Sequence, residues 1–166
     1  MSLDNIQLPS IVIQELFKYS LTSLETEQAI EENLPSSPFS ILGKNKKNIL
    51  LLISNEETLY LPDEELNFLL GILSACQLTM EDVGILNIKK NKAVTYNSIS
   101  QGLKAEKIFL FGVDPAEIAL PLAFPHYQVQ RYNNQTYLSA PLLSSFKNDK
   151  TEKGKLWNCL KQIFSI

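Results

Sequence analysis

Few of the chain's residues are of types that carry proton transfer, covalent or metal chemistry, and they are scattered. There is one histidine, His126, and there are two cysteines, Cys76 and Cys159. Zinc needs three or four N, S or O ligands, usually in closely spaced pairs, and this inventory does not supply them. A serine–histidine–carboxylate site would need His126 as its base. No Gly-x-Ser-x-Gly turn accompanies it, and His126 stands in Phe124-Pro125-His126-Tyr127 at the entry to a strand-like segment, where it reads as structural or exposed. Cys76 and Cys159 each fall inside an apolar helical pattern and read as buried thiols. Glu56 and Glu57 are adjacent acids in a loop, a pattern that solvation explains. Gly43-Lys44 lacks the preceding glycine and following hydroxyl of a phosphate-binding loop. The first apolar run leads into Ser54-Asn55-Glu56-Glu57-Thr58, without the glycines that let a pyrophosphate approach a backbone. This reading assigns no catalytic residue, no metal ligand and no cofactor.

The most suggestive short motif is Gly112-Val113-Asp114-Pro115. It follows an apolar run, where an open α/β sheet binds ligands beyond the carboxyl ends of its strands. Gly112, Asp114 and Pro115 are therefore the pocket candidates at the sheet edge, with Asp114 as a carboxylate over a pocket. Gly, Asp and Pro are also the ordinary residues of a turn, and that plainer reading is preferred.

Which elements would position these groups follows from hydrophobic periodicity. Residues 49–53, Ile-Leu-Leu-Leu-Ile, have no polar side, as expected of a strand covered on both faces. Pro62 with Asp63, Glu64 and Glu65 then opens a helix in which Leu66, Leu69, Leu70 and Leu73 recur at helical spacing. Residues 79–82 are a polar turn, 83–88 a second buried strand, 97–104 a weaker helix and 108–113 a third strand. Strands and helices alternating at this spacing imply right-handed crossovers and a parallel sheet. Tyr127, Val129 and Arg131 alternate with Gln128, Gln130 and Tyr132 as in a half-exposed strand. Asn133-Asn134 supplies a turn, and 135–139 returns as a hairpin arm. Residues 148–164 form the last helix, with Asp149 and Glu152 spaced as a capping box.

At the other end, residues 10–30 read as an amphipathic helix capped by Ser10, with Ile11, Val12, Leu16 and Phe17 as candidate partner-binding residues. The alternative is that those four cover the sheet. Residues 31–47, with Pro35, Ser36, Ser37, Pro38 and a lysine-rich end, read as a linker, leaving 48–166 as the α/β domain.

Composition narrows the function further. With 166 residues, 45% hydrophobic and 20% charged, the chain suits one globular domain. A net charge of −3 lacks the basic excess of a protein that grips nucleic acid by itself. Asp4, Gln7 and Pro9 interrupt any signal peptide, and no run reaches the roughly 18 apolar residues of a membrane span, so a cytoplasmic location is expected.

Two segments, 48–55 followed by Pro62-Asp63-Glu64-Glu65 and the leucine helix, and 138–149 running into Lys155-Leu156-Trp157, resemble the psi subunit of bacterial DNA polymerase III. That family has an apolar first strand, an acid-capped leucine helix, and a short turn with Asp before the second strand, as 79–82 has here. Near its end it has a Ser-Pro-x-Leu-like stretch before a helix with Leu-Trp. Ser139-Ala140-Pro141-Leu142-Leu143 carries one residue more between Ser and Pro. The resemblance spans about residues 45–165. It implies a three-layer α/β/α sandwich similar to uracil-DNA glycosylases, with a central, mainly parallel sheet of about four strands. It also implies a non-catalytic, cytoplasmic subunit that links clamp-loader ATPase subunits to a chi-like subunit and meets DNA only indirectly. The docking segment would be residues 3–24.

The same fold raises an enzymatic alternative. Glycosylases of that superfamily carry a Gly-x-Asp-Pro-like motif after their first strand and a histidine near the segment before the last helix. Here Gly112-Val113-Asp114-Pro115 follows the third strand, and Leu138, Ser139 and Ala140 include no histidine. A stand-alone α/β domain binding a small ligand is the remaining expectation.

Overall fold

The three apolar runs form strands whose residues are buried on both faces. The structure is a computed structural model that describes residues 38–166. The strands are β1 (Ile41–Gly43), β2 (Ile49–Ile53), β3 (Val83–Asn87), β4 (Lys107–Phe111), β5 (Val129–Tyr132) and β6 (Gln135–Ala140). The helices are α1 (Asp63–Ala75), α2 (Tyr96–Leu103) and α3 (Lys150–Phe164). Two 3₁₀ turns, Pro115–Ile118 and Leu143–Phe146, follow β4 and β6.

The six strands make one mixed sheet in the order β1-β3-β2-β4-β6-β5. β3, β2, β4 and β6 run parallel, with Leu51 opposite Ile85 on one side and Phe109 on the other, and with Phe109 opposite Leu138. β1 and β5 are antiparallel to their neighbours. This corrects the expectation of a mainly parallel sheet of about four strands. An edge strand needs only one partner, so three residues suffice for β1. β5 returns through a tight hairpin and can therefore pair only in antiparallel fashion.

Side chains alternate across the sheet with period two. Ile49, Leu51, Ile53, Phe109, Phe111 and Leu138 face one way and pack with Leu69 and Leu73 of α1 and Leu156 and Leu160 of α3. Leu50, Leu52, Leu86, Ile108, Leu110 and Tyr137 face the other way and pack with Ile99 and Leu103 of α2. Full burial of each aliphatic side chain contributes roughly 1.5–3 kcal/mol, so the continuous apolar runs of β2 and β4 dominate the core.

Residues 38–47, expected as the end of a linker, belong to this domain instead. Phe39 is buried, and β1 pairs Ile41 with Leu86 and Gly43 with Gly84. The amides of Asn45, Lys46 and Lys47 donate to the carbonyls of Val83, Glu81 and Asp82 at 3.0 Å each. Their polar composition reads as linker because the pairing partners lie 41 to 45 residues downstream and leave no local trace. The helix expected over 10–30, with Ile11, Val12, Leu16 and Phe17, and linker residues 31–37 lie outside the described residues. Among the described residues no helix is long and apolar enough to cross a membrane.

Local signals account for several boundaries. Asp82 Oδ2 accepts from the Thr79 amide and hydroxyl at 2.9 and 3.1 Å, which closes the polar turn before β3. Thr95 and Ser98 cap α2 reciprocally. Asp149 accepts from the amides of Thr151 and Glu152, as its spacing predicts. The capping box is not completed, because Glu152 accepts instead from the Tyr127 hydroxyl and the Lys155 ammonium. Asn133 and Asn134 take φ of 50° and 60°, the left-handed pair that a two-residue hairpin turn requires.

Candidate functional site

β4 and β6 end side by side, and their chains then diverge. The Gly112 amide donates to the Ala140 carbonyl at 2.9 Å, one step beyond the last paired residues, Phe111 and Ala140. Past that point the turn 112–118 and the turn 141–146 separate, and the segment 124–126 approaches from before β5. Between them lies a cleft of about 660 Å³. Gly112, Asp114 and Pro115, the three sequence candidates for a pocket, all line it, together with His126, Ser139 and Leu142.

Each of the three has a structural task. Gly112 sits at φ +64°, and a Cβ there would stand 2.2 Å from Leu142 Cδ2 and 3.3 Å from Leu142 Cα. Its lack of a side chain lets the two loops approach. Asp114 is the N-cap of the 3₁₀ turn, accepting from the Ala116 amide at 2.9 Å. Glu117 returns the contact, accepting from the Asp114 amide at 3.1 Å, and its other oxygen takes the Lys89 ammonium at 3.2 Å. Pro115 fills the first turn position and is buried. The motif is thus a capped turn, the plainer of its two sequence readings.

His126 enters the cleft through a contact that no linear search could find. Its Nδ1 lies 2.9 Å from Ser139 Oγ, with the tautomer deciding which atom donates. Ser139 is only 2% exposed although it lines the cleft. Among the described residues no carboxylate bonds the other imidazole nitrogen, so the orienting third member of a triad is lacking.

Tyr127 anchors the cleft's outer wall to α3. It holds φ +64°, a strained backbone for an aromatic residue, and several bonds fix it there. Its amide donates to the Ser139 carbonyl at 2.8 Å, and its carbonyl accepts from Cys159 Sγ at 3.2 Å. Its hydroxyl donates to Glu152, and the Lys155 ammonium lies 5.6 Å from its ring centre. Burial, reinforced by the bond to Glu152, pushes the phenol well above its ordinary range. The hydrogen bond from Lys155, then that from Tyr127, holds Glu152 below the usual carboxylate range. Cys76 and Cys159 are buried free thiols, both pushed up by desolvation and so poor nucleophiles.

The other parallel-strand end that sequence reasoning passed over is organised by Asn87, a fully buried residue. Its Oδ1 accepts from the amides of Asn55 and Lys89, and its Nδ2 donates to the carbonyls of Asn55, Thr58 and Leu59 at 2.7–3.3 Å. These bonds tie down the loop after β2, where the strand order reverses between β2 and β4 and where a ligand site is usual. A polar residue closing an otherwise apolar strand was the available signal. Among the described residues no group of three or more His, Cys, Asp or Glu side chains is placed to hold a metal ion. No protein-family model and no curated protein matches this sequence.

Proposed function

We propose that the chain is a non-catalytic interaction subunit, a psi-like accessory component of a DNA polymerase III clamp-loader assembly on a uracil-DNA glycosylase-like, three-layer α/β/α scaffold. The observation that carries the reading is the use of the cleft's polar groups. Asp114, Glu117, Ser139 and His126 hold backbone turns or one another, whereas an acid or base built for chemistry faces its substrate. Helices on both faces of the sheet are in keeping with the three-layer scaffold. The stretch resembling the family's Ser-Pro-x-Leu segment forms the β6 exit, and its Leu156-Trp157 lies on α3, packed beside α1. In this role the protein is cytoplasmic, uses no cofactor, touches nucleic acid only through its partners, and joins the loader ATPase subunit to a chi-like subunit.

The test is co-elution of the full chain with the clamp-loader ATPase subunit of the same organism. A stoichiometric complex is expected, and it should disappear when residues 1–26, which include Ile11, Val12, Leu16 and Phe17, are removed. No complex at micromolar concentration overturns the replication role, and a complex that survives truncation overturns the docking assignment.

One arrangement favours a second reading, a glycosylase-superfamily enzyme. His126 lines the same cleft as Gly112 and Asp114, and on this reading it would stand in for the histidine that the segment before the last helix lacks. On this reading the parent excises uracil from single-stranded or duplex DNA and Asp114→Asn abolishes the activity. An inactive parent rejects it.

A further inference from the structure

The cleft is not the only opening in the domain. A groove of about 320 Å³ runs between α1 and α3. Phe68, Ile72, Trp157 and Leu160 form its apolar floor and walls. Gly71 and Ala75, one turn apart on α1, keep it open, and a Cβ added at Gly71 would meet nothing within 4 Å.

Its charge is one-sided. α1 carries no charged side chain from Leu66 to Ala75. On α3, Lys150, Lys153 and Lys161 share a flank with Trp157 by helical spacing, and Lys153 lines the groove itself, 5.5 Å from the Phe68 ring centre. None of the three makes an ion pair among the described residues; the α3 carboxylate Glu152 is taken by Lys155. Residues 38–166 hold fourteen of the chain's fifteen basic side chains and twelve of its eighteen acidic ones, a slight basic excess for the domain as a whole, and the nearest acids, Glu64 and Glu65 in the first turn of α1, line a separate pocket beside Phe68 and Lys153.

We propose that this groove receives an amphipathic helix of a protein partner, with large apolar side chains along one stripe and acidic residues flanking it on the α3 side. An uncharged wall, an apolar floor and, along one edge, lysines that make no ion pair among the described residues form the complement of such a helix. A basic or uncharged helix would leave the lysines repelled or unanswered. The inference deepens the interaction-subunit reading and rests on it, but it does not depend on the clamp loader being the partner.

Trp157 is the only tryptophan in the chain, so its fluorescence reports groove occupancy directly. The probes are two 18-residue helical peptides with the same Leu/Phe stripe, one flanked by Glu and one by Lys, titrated into the full chain. The Glu peptide is expected to shift Trp157 emission and to bind about tenfold tighter than the Lys peptide, because each exposed ion pair adds only a small factor. The triple change Lys150→Glu, Lys153→Glu, Lys161→Glu should reverse that order. Gly71→Leu, which fills the groove from a position with open space, should abolish both signals while the melting temperature holds or rises. Equal affinities, an order that does not reverse, or binding that survives Gly71→Leu overturns the proposal. A concentration-dependent Trp157 shift of the protein alone, with dimers in sedimentation, assigns the groove to a second copy and also overturns it. Peptide binding without loader co-elution would reject the replication role and leave the groove assignment standing, and the converse result would do the opposite.

Discussion

Gly112→Ala isolates the close approach that shapes the cleft. At φ +64° an alanine is in the left-handed region, which costs an L-residue roughly 1–2 kcal/mol. The loss of glycine's freedom in the unfolded chain offsets about 0.4–1 kcal/mol of this. The new methyl would overlap Leu142 Cδ2 at 2.2 Å and Cγ at 2.6 Å. Relieving that crowding costs about 1–3 kcal/mol, towards the lower end because Leu142 can swing outwards. The expected sum is about 1–3 kcal/mol, a fall in melting temperature on the order of 3–12 °C for a domain of this size. Leu142 is 48% exposed, so Leu142→Ala alone should cost less than about 1 kcal/mol. In the double variant the clash with Cγ and Cδ2 is gone, while the 3.3 Å approach to Leu142 Cα remains. The double variant should therefore be about 1–2 kcal/mol more stable than the sum of the singles. Urea unfolding of the four proteins, with unchanged m-values, gives both numbers. A Gly112→Ala variant within about 0.5 kcal/mol of the parent, or strict additivity in the cycle, would refute the reasoning.

Gly43→Ala should be more damaging than Gly112→Ala, because its Cβ would meet the Val83 and Met80 carbonyl oxygens at 2.2 and 2.7 Å, backbone atoms that cannot swing away. Circular dichroism should show a lower melting point, and amide exchange should show β1 released from β3. Asn87→Ala removes the partner of two amides and three carbonyls through part-buried bonds, so a loss of about 1–3 kcal/mol is expected, with proteolysis appearing first in residues 54–60. Glu81 is held at about 2 by its hydrogen bonds from Lys44 and Lys46. A depressed folded pKa gives stability that is present above the ordinary value of 4.5 and is lost as pH falls towards 2. Glu81→Gln should therefore be less stable than the parent at pH 6 and equal to it near pH 2, with a gap at pH 6 that shrinks in high salt.

Much of the domain could be read in one dimension because its strongest signals are local. The five-residue runs of β2 and β3 have no polar face, and the leucine spacing of α1 points one way. Gly112-Val113-Asp114-Pro115 and Asp149 announced turns and caps that the structure contains. β1 was missed because a three-residue edge strand draws its stability from Gly84, Ile85 and Leu86, not from its own composition. The cleft was half read. Gly112, Asp114 and Pro115 were in view, but the pairing of His126 with Ser139 joins residues that only the hairpin register brings together. Asn87 gave a weak signal, since a polar residue ending a strand does not say which loop it will hold.

By itself the sequence determined the apolar periodicities, and with them the central strands β2, β3 and β4 and the helices α1 and α3, because side-chain burial repeats with the period of the backbone. It also determined the small stock of reactive groups. The tertiary structure decided what those groups do. It placed Asp114 and Glu117 on turn amides, enclosed Ser139, and set Tyr127 against Glu152. It also opened an apolar groove where Gly71 and Ala75 of one helix face Trp157 of another. These outcomes depend on contacts between residues distant in the chain, and the free energy of such contacts appears only when the sheet brings them within reach.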